Sequence, residues 1–228
     1  LGEGEREIRA PMPPLASSRR WAVILSPIGV IALGFAVQRL AGLAMGAWAW
    51  IPTMLVFWCA VASLIRWGSR GNPARLWLRR PTGSGLWSVL ALGVGLVSVR
   101  ELVLGWHVLR SPTLVVLWLG FGLLNPWLEE GYWRGLLIDA TRDWPWGLGV
   151  VYSTVLFALS HPFIWGVHSA ALRHPAVLIG LGLAGGVWGM AYWRTGSLRW
   201  TIAGHACANL FGLSVPVLLN LYVPGGLR

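Results

Sequence analysis

Long apolar runs separated by short polar links give the chain its rhythm. The runs cover 21–37, 42–65, 85–106, 112–139, 146–160, 175–193 and 198–215, with a last short piece at 217–223. Most approach the roughly 20 residues that a helix needs to cross a bilayer's hydrocarbon core. The pattern therefore predicts an all-α fold, a polytopic transmembrane helix bundle of seven or eight spans. Strands of an outer-membrane barrel would alternate polar and apolar positions, and these runs do not. Residues 1–20 break the rhythm: Glu3, Glu5 and Glu7 and a patch at Pro11, Pro13 and Pro14 read as a flexible cytosolic tail. A single membrane domain is expected over 21–228. The first apolar run follows Arg19-Arg20 but is too long for a cleaved signal peptide and lacks a clear cleavage site. Gly182 and Gly186, and Gly185 and Gly189, are spaced four residues apart in the run at 175–193, a spacing that lets helices approach closely.

Composition agrees with a lipid-solvated chain: 56% of residues are hydrophobic and 11% charged. The formal charge of +10 would suit a nucleic-acid partner if it were clustered on one domain. It is instead carried by arginines, with no lysine, in the links between apolar runs, where the positive-inside rule accounts for it. No nucleic-acid partner is expected. The link after the second run holds Arg66, Arg70, Arg75, Arg79 and Arg80, the strongest basic cluster. Counting crossings puts this link on one side with the amino terminus, Arg142 and the link from Arg194 to Arg199. That side is predicted to be cytosolic, and a bacterial plasma membrane is favoured over the endoplasmic reticulum. Many of the 17 tryptophans flank the runs, among them Trp21, Trp67, Trp106 and Trp200, as interfacial anchors do. Cys59 and Cys207 both fall inside predicted spans and define no disulfide framework.

Charges inside the runs are the exception that carries chemistry. Glu129, Glu130 and Arg134 interrupt the run at 112–139, whose first part has no charge from Pro112 to Trp127. Left unpaired in a membrane, each would cost about 2.5–3.5 kcal/mol on insertion scales. Glu130 and Arg134 are one helical turn apart and share a face, so they can pair. Glu129 points roughly 100° away and is free to face a cavity. The expected division of labour is Glu130 held ionised by Arg134, with Glu129 as the working group. Pro126 removes a hydrogen bond to the Gly122 carbonyl, which predicts a kink near the site. His161 follows Phe157 by one turn and precedes Pro162, so it is expected at a helix end. His205 and Asn209 lie one turn apart on the last long run, among small residues that leave that face open. Each group also has a structural explanation: a buried ion pair for packing, an interfacial histidine, an interhelical hydrogen-bonding pair. Taken together, a glutamate and two histidines can polarise a water, and an asparagine can donate to a developing oxyanion. That is the equipment of a hydrolase that attacks with water. HExxH and GxSxG are absent, and Cys207 lies on a different helical face from its neighbours His205 and Asn209.

Glu129-Glu130…Arg134, Phe157…His161 and His205…Asn209, in that order on separate spans, resemble the motifs EExxxR, FxxxH and HxxxN of the CAAX prenyl protease 2 and CPBP (Abi, bacteriocin-processing) intramembrane proteases. The resemblance covers about 112–215. It implies a membrane-embedded endopeptidase in which Glu129 and His161 activate the attacking water. His205 and Asn209 would then stabilise the oxyanion, and Glu130 and Arg134 would hold the frame. The substrate would be a peptide or a lipidated protein, of CAAX or leader-peptide type, met in contact with membrane lipid. No cofactor is required on this reading; a zinc ion held by Glu129, His161 and His205 is the minority variant. Trp133 stands where many members have phenylalanine. The competing readings are a non-enzymatic membrane partner, such as a bacteriocin self-immunity protein, and a small-solute transporter, which the absence of an obvious inverted repeat disfavours.

Overall fold

In a computed structural model of the protein, residues 17–69, 72, 74–145 and 147–225 are described, and every regular element among them is helical. Residues 1–16 of the expected tail lie outside them. Residues 17–20 already form the first turn of α1 (Ser17–Met45). This helix turns back through a single 3-10 turn at Gly46–Ala49 into α2 (Trp50–Gly68). The turn comes later than the polar residues at 38–39 suggest. Gln38 is buried and accepts a hydrogen bond from Thr53 on the partner helix, so α1 can carry it through the hairpin instead of stopping there. Pro27 inside α1 has no N–H for the Val23 carbonyl, and Ser26 Oγ donates to that oxygen at 2.7 Å.

The short helix α3 (Ala74–Leu78) follows. The run at 85–106 folds as two helices, α4 (Gly85–Leu96) and α5 (Val99–Gly105), with a break at 97–98. The run that carries the carboxylates is α6 (Pro112–Glu129), a π-helix at Glu130–Leu136 and one last turn, α7 (Leu137–Ala140). Then come α8 (Leu148–Phe163), α9 (Pro175–Thr195), α10 (Arg199–Phe211) and α11 (Ser214–Leu218). Of the piece at 217–223 only the first two residues are helical, so it is no further span.

Four helical stretches are long and apolar enough to cross a membrane: Ser17–Gly68, which is the α1–α2 hairpin, Gly85–Val108, Leu148–Val167 and Pro175–Thr195. They make this an integral membrane protein. Large apolar side chains point outward along them, Ile28, Leu43, Val89, Val103, Val151 and Leu183 among others, the surface expected where lipid is the solvent. Trp21, Trp67, Trp106 and Trp200 are also exposed.

The π-helix sits at the centre, against α2, α3, α6, α7, α8 and α9, while α10 packs on α4 and α6. The α4–α10 contact is made backbone to backbone. A Cβ on Gly204 would lie 2.0 Å from the Ala91 carbonyl oxygen, and one on Gly95 would lie 1.9 Å from the Gly204 oxygen. The arginine-bearing links gather in two places. Arg20 bonds the Ala140 carbonyl and pairs with Asp143. Arg199 Nη2 donates to the Leu78 carbonyl, Ser197 Oγ to the Arg79 carbonyl, and the Thr82 amide to the Thr195 carbonyl.

Candidate active site

The site begins with a departure from α geometry. From Glu130 to Leu136 the helix widens to π, the kind of single bulge that often marks functional positions. A wider turn leaves carbonyls open to side-chain donors. Trp77 Nε1 donates to the Trp127 carbonyl at 3.0 Å, and Ser153 Oγ to the Trp133 carbonyl at 2.6 Å. Tyr132 is tied to α1 through Ser26 at 2.8 Å. The distortion thus falls just after Pro126, and α6 runs through the proline itself to Glu129.

Glu129 and Glu130 are neighbours in sequence with unlike surroundings. Glu130 is fully buried, and its Oε1 accepts from Arg134 Nη1 at 2.9 Å and from His205 Nδ1 at 2.8 Å. Glu129 is 2% exposed, and its Oε2 has no hydrogen-bond partner; the nearest basic atom is His205 Nε2 at 3.6 Å. Asn125, one turn earlier, faces the Glu129 carboxyl, and its own amide oxygen accepts from Trp58 Nε1 at 2.8 Å.

Arg134 has no exposure at all. Beyond its bond to Glu130, the guanidinium carbon lies 4.0 Å from the Phe157 ring centroid and 5.4 Å from that of Trp188, both within cation–π range. Gly185 on α9 makes room for this layer: a Cβ there would press on Arg134 Nη2 and on Phe157 at 3.1 Å. Gly189 likewise admits Val150, whereas Gly182 and Gly186 face open space.

Phe157 joins the histidines. Its ring centroid is 4.7 Å from that of His161 and 6.1 Å from that of His205, edge to face in both cases. His161 lies in the last turn of its helix, as expected. Although Pro162 follows, α8 continues to Phe163, and the Ile164 amide bonds back to the Ser160 carbonyl at 2.8 Å. His161 Nδ1 stands 2.8 Å from the Phe157 carbonyl, which can only accept, so this nitrogen carries the proton and Nε2 keeps its lone pair. The same logic applies at His205, whose Nδ1–H donates to the Glu130 carboxylate. Asn209 lies one turn further along α10, half-buried, and its Nδ2 has no partner.

Glu129, Glu130, Arg134 and His205 are therefore in one hydrogen-bonded and ionic group, His161 adjoins it across Phe157, and Asn209 flanks it on α10. Among the described residues no three His, Cys, Asp or Glu side chains are placed to hold a metal ion, Glu129, His161 and His205 included. Cys59 and Cys207 are free thiols. Three contributors escape the motifs: Asn125, Ser153 and Trp188. Trp188 alone left a trace in the sequence, as a tryptophan in the middle of a glycine-rich run and not at its flank. Its ring stacks on His205, with centroids 4.8 Å apart and planes 12° apart.

Residues 111–211 match a family model described as "Type II CAAX prenyl endopeptidase Rce1-like". The match covers all seven motif residues and bears out the resemblance read from them. It supports a CAAX-type intramembrane endopeptidase in general terms. No curated protein and no solved structure matches the chain.

Proposed function

We propose that this protein hydrolyses a peptide bond inside the membrane with a water activated by Glu129 and His161. One observation carries the assignment of roles: of two adjacent buried carboxylates, Glu130 is held by Arg134 and His205, while Glu129 keeps an oxygen without a partner. A carboxylate with a free lone pair in a water-poor site is a general base. On this reading Glu129 takes a proton from water as its oxygen attacks the scissile carbonyl. His161 Nε2, kept unprotonated by the Nδ1–H bond to the Phe157 carbonyl, accepts the second hydrogen bond of the same water. The negative charge that develops on the carbonyl oxygen is met by the unused Nδ2–H of Asn209 and by His205, whose Nε2, 3.6 Å from Glu129 Oε2, shares the proton taken from the water. The proton held by Glu129 then passes to the leaving amine as the C–N bond breaks, which balances the reaction. Glu130 and Arg134 do not react; Glu130 holds His205 by Nδ1, and the pair keeps the π-helix in place.

A peptide or a lipidated protein is the expected substrate, CAAX-type processing the leading case and leader-peptide removal the other. The arginine-rich links suit a cytosolic side with the amino terminus facing it. Purified protein carrying Glu129→Gln or His161→Ala should keep its helical fold and lose peptide cleavage. Undiminished turnover in either variant would reject the assignment.

A further inference from the structure

Trp188 is buried to 2% exposure, and its indole meets both the ionic group and the α4 backbone. One face stacks on the His205 imidazole, with planes 12° apart, and the guanidinium of Arg134 lies 5.4 Å from the ring centroid. Its Nε1–H donates to the Ala91 carbonyl on α4 at 2.9 Å. That carbonyl is the same one against which Gly204, the residue before His205, is pressed. A single oxygen on α4 thus fixes the indole by a hydrogen bond and α10 by contact. Two restraints on His205 follow. Glu130 fixes one ring nitrogen, which leaves rotation about that bond free, and the indole face removes that rotation.

We infer that Trp188 is a positioning residue for His205: anchored on the Ala91 carbonyl, it holds the imidazole in the plane that aims Nε2 at the reacting centre beside Glu129. The inference rests on the hydrolase reading above. An imidazole with one fixed nitrogen and no stacking partner would sweep Nε2 through an arc, and displacement by about 1 Å at a catalytic group costs up to roughly a hundredfold in rate.

The test uses the full-length protein in detergent or nanodiscs and a fluorogenic peptide substrate. Trp188→Leu removes both the stacking face and the N–H; Trp188→Phe keeps a stacking face alone. Trp188→Leu should lower kcat by about ten- to a hundredfold with KM within about twofold, and Trp188→Phe should recover most of that loss. Combined with His205→Ala, Trp188→Leu should cost nothing further, because its effect runs through the imidazole. A general loosening of the core would instead move KM and kcat together and add to the His205→Ala defect. Either that pattern, or a folded Trp188→Leu with parental kcat while His205→Ala is inactive, overturns the inference and leaves the hydrolase reading standing. If His205→Ala itself turns over normally, the hydrolase reading fails and takes the inference with it. Should Trp188→Leu not fold, Trp188→Phe and Trp188→Tyr decide: kcat reduced to His205→Ala levels in both would reject the stacking role.

Discussion

The α1–α2 hairpin and the α6–π–α7 helix bury polar groups in opposite ways. In the hairpin the buried pair is neutral, Gln38 with Thr53, and the two residues are neighbours across one turn. In the motif helix the buried groups are ionic. They recruit His205 from α10 and aromatic rings from α8 and α9, far away in sequence. The oxygen of a neutral amide can be met by one hydroxyl, so a local partner suffices for it. Two carboxylates and a guanidinium need more donors and acceptors than one helix offers, and low dielectric makes each unmet one costly. Three other helices must then be held to the same place. The helix with the buried ionic groups is for that reason the one around which the others pack.

The largest effect should come from breaking the ionic core. Arg134→Ala leaves Glu130 buried without its cation, and truncating one partner of such a pair costs about 3–5 kcal/mol. Thermal unfolding in detergent should show this as a much lower midpoint, together with loss of turnover. The double change Glu130→Leu with Arg134→Met sharpens the comparison, since it removes both charges. It should regain part of the stability and none of the activity, whereas a purely structural ion pair would regain both.

Next in size is Gly204→Ala. The new methyl group would meet the Ala91 carbonyl oxygen at 2.0 Å, and backbone cannot rotate out of the way as a side chain can. α4 and α10 must separate, at about 1–3 kcal/mol for overpacking. Because His205 is the next residue, turnover should fall further than the stability loss explains; a variant with reduced midpoint and parental activity would argue against α4 as a support for the site. In the hairpin, Thr53→Val leaves Gln38 buried without its donor. Interhelical hydrogen bonds in membranes average about 0.6 kcal/mol and reach near 1.7, so a drop of that order is expected, with activity intact.

How much of this could be read beforehand follows the same division. The Glu130–Arg134 pair was legible because four-residue spacing survives in the structure, and His205 of the third motif bonds Glu130 while Phe157 of the second lies between the two histidines. The π-helix was not: Glu129-Glu130…Arg134 reads the same whether the turn is regular or widened, and the helices packed on it, α2, α3 and α8 among them, come from elsewhere in the chain. The hairpin turn at 46–49 was misplaced since Gln38 read as a link residue until its partner Thr53 was known. Pro162 signalled a helix end for His161, and His161 does lie in the last turn of α8, two residues before its end at Phe163. Trp188 is the clearest case of a long-range dependence. Its indole resembles any core aromatic until Ala91 and His205 are placed on either side of it.

The smallest effect on stability should be at Asn209, and it discriminates best between the two kinds of burial. If Asn209 were an interhelical tie like Thr53, its amide would be bonded across to another helix; instead Nδ2 has no partner. Asn209→Ala then removes no intramolecular bond from that nitrogen and relieves an unmet donor, so the unfolding midpoint should hold or rise slightly. Turnover should nonetheless fall by about a hundred- to a thousandfold, the usual loss when one oxyanion donor is removed, and the loss should lie in kcat. Asn209→Asp keeps the shape but offers an acceptor where a donor is needed, so it should be no better than alanine. Parental kcat in Asn209→Ala, or a large stability loss with proportionate activity, would move Asn209 into the same class as Gln38 and leave the oxyanion to His205 alone.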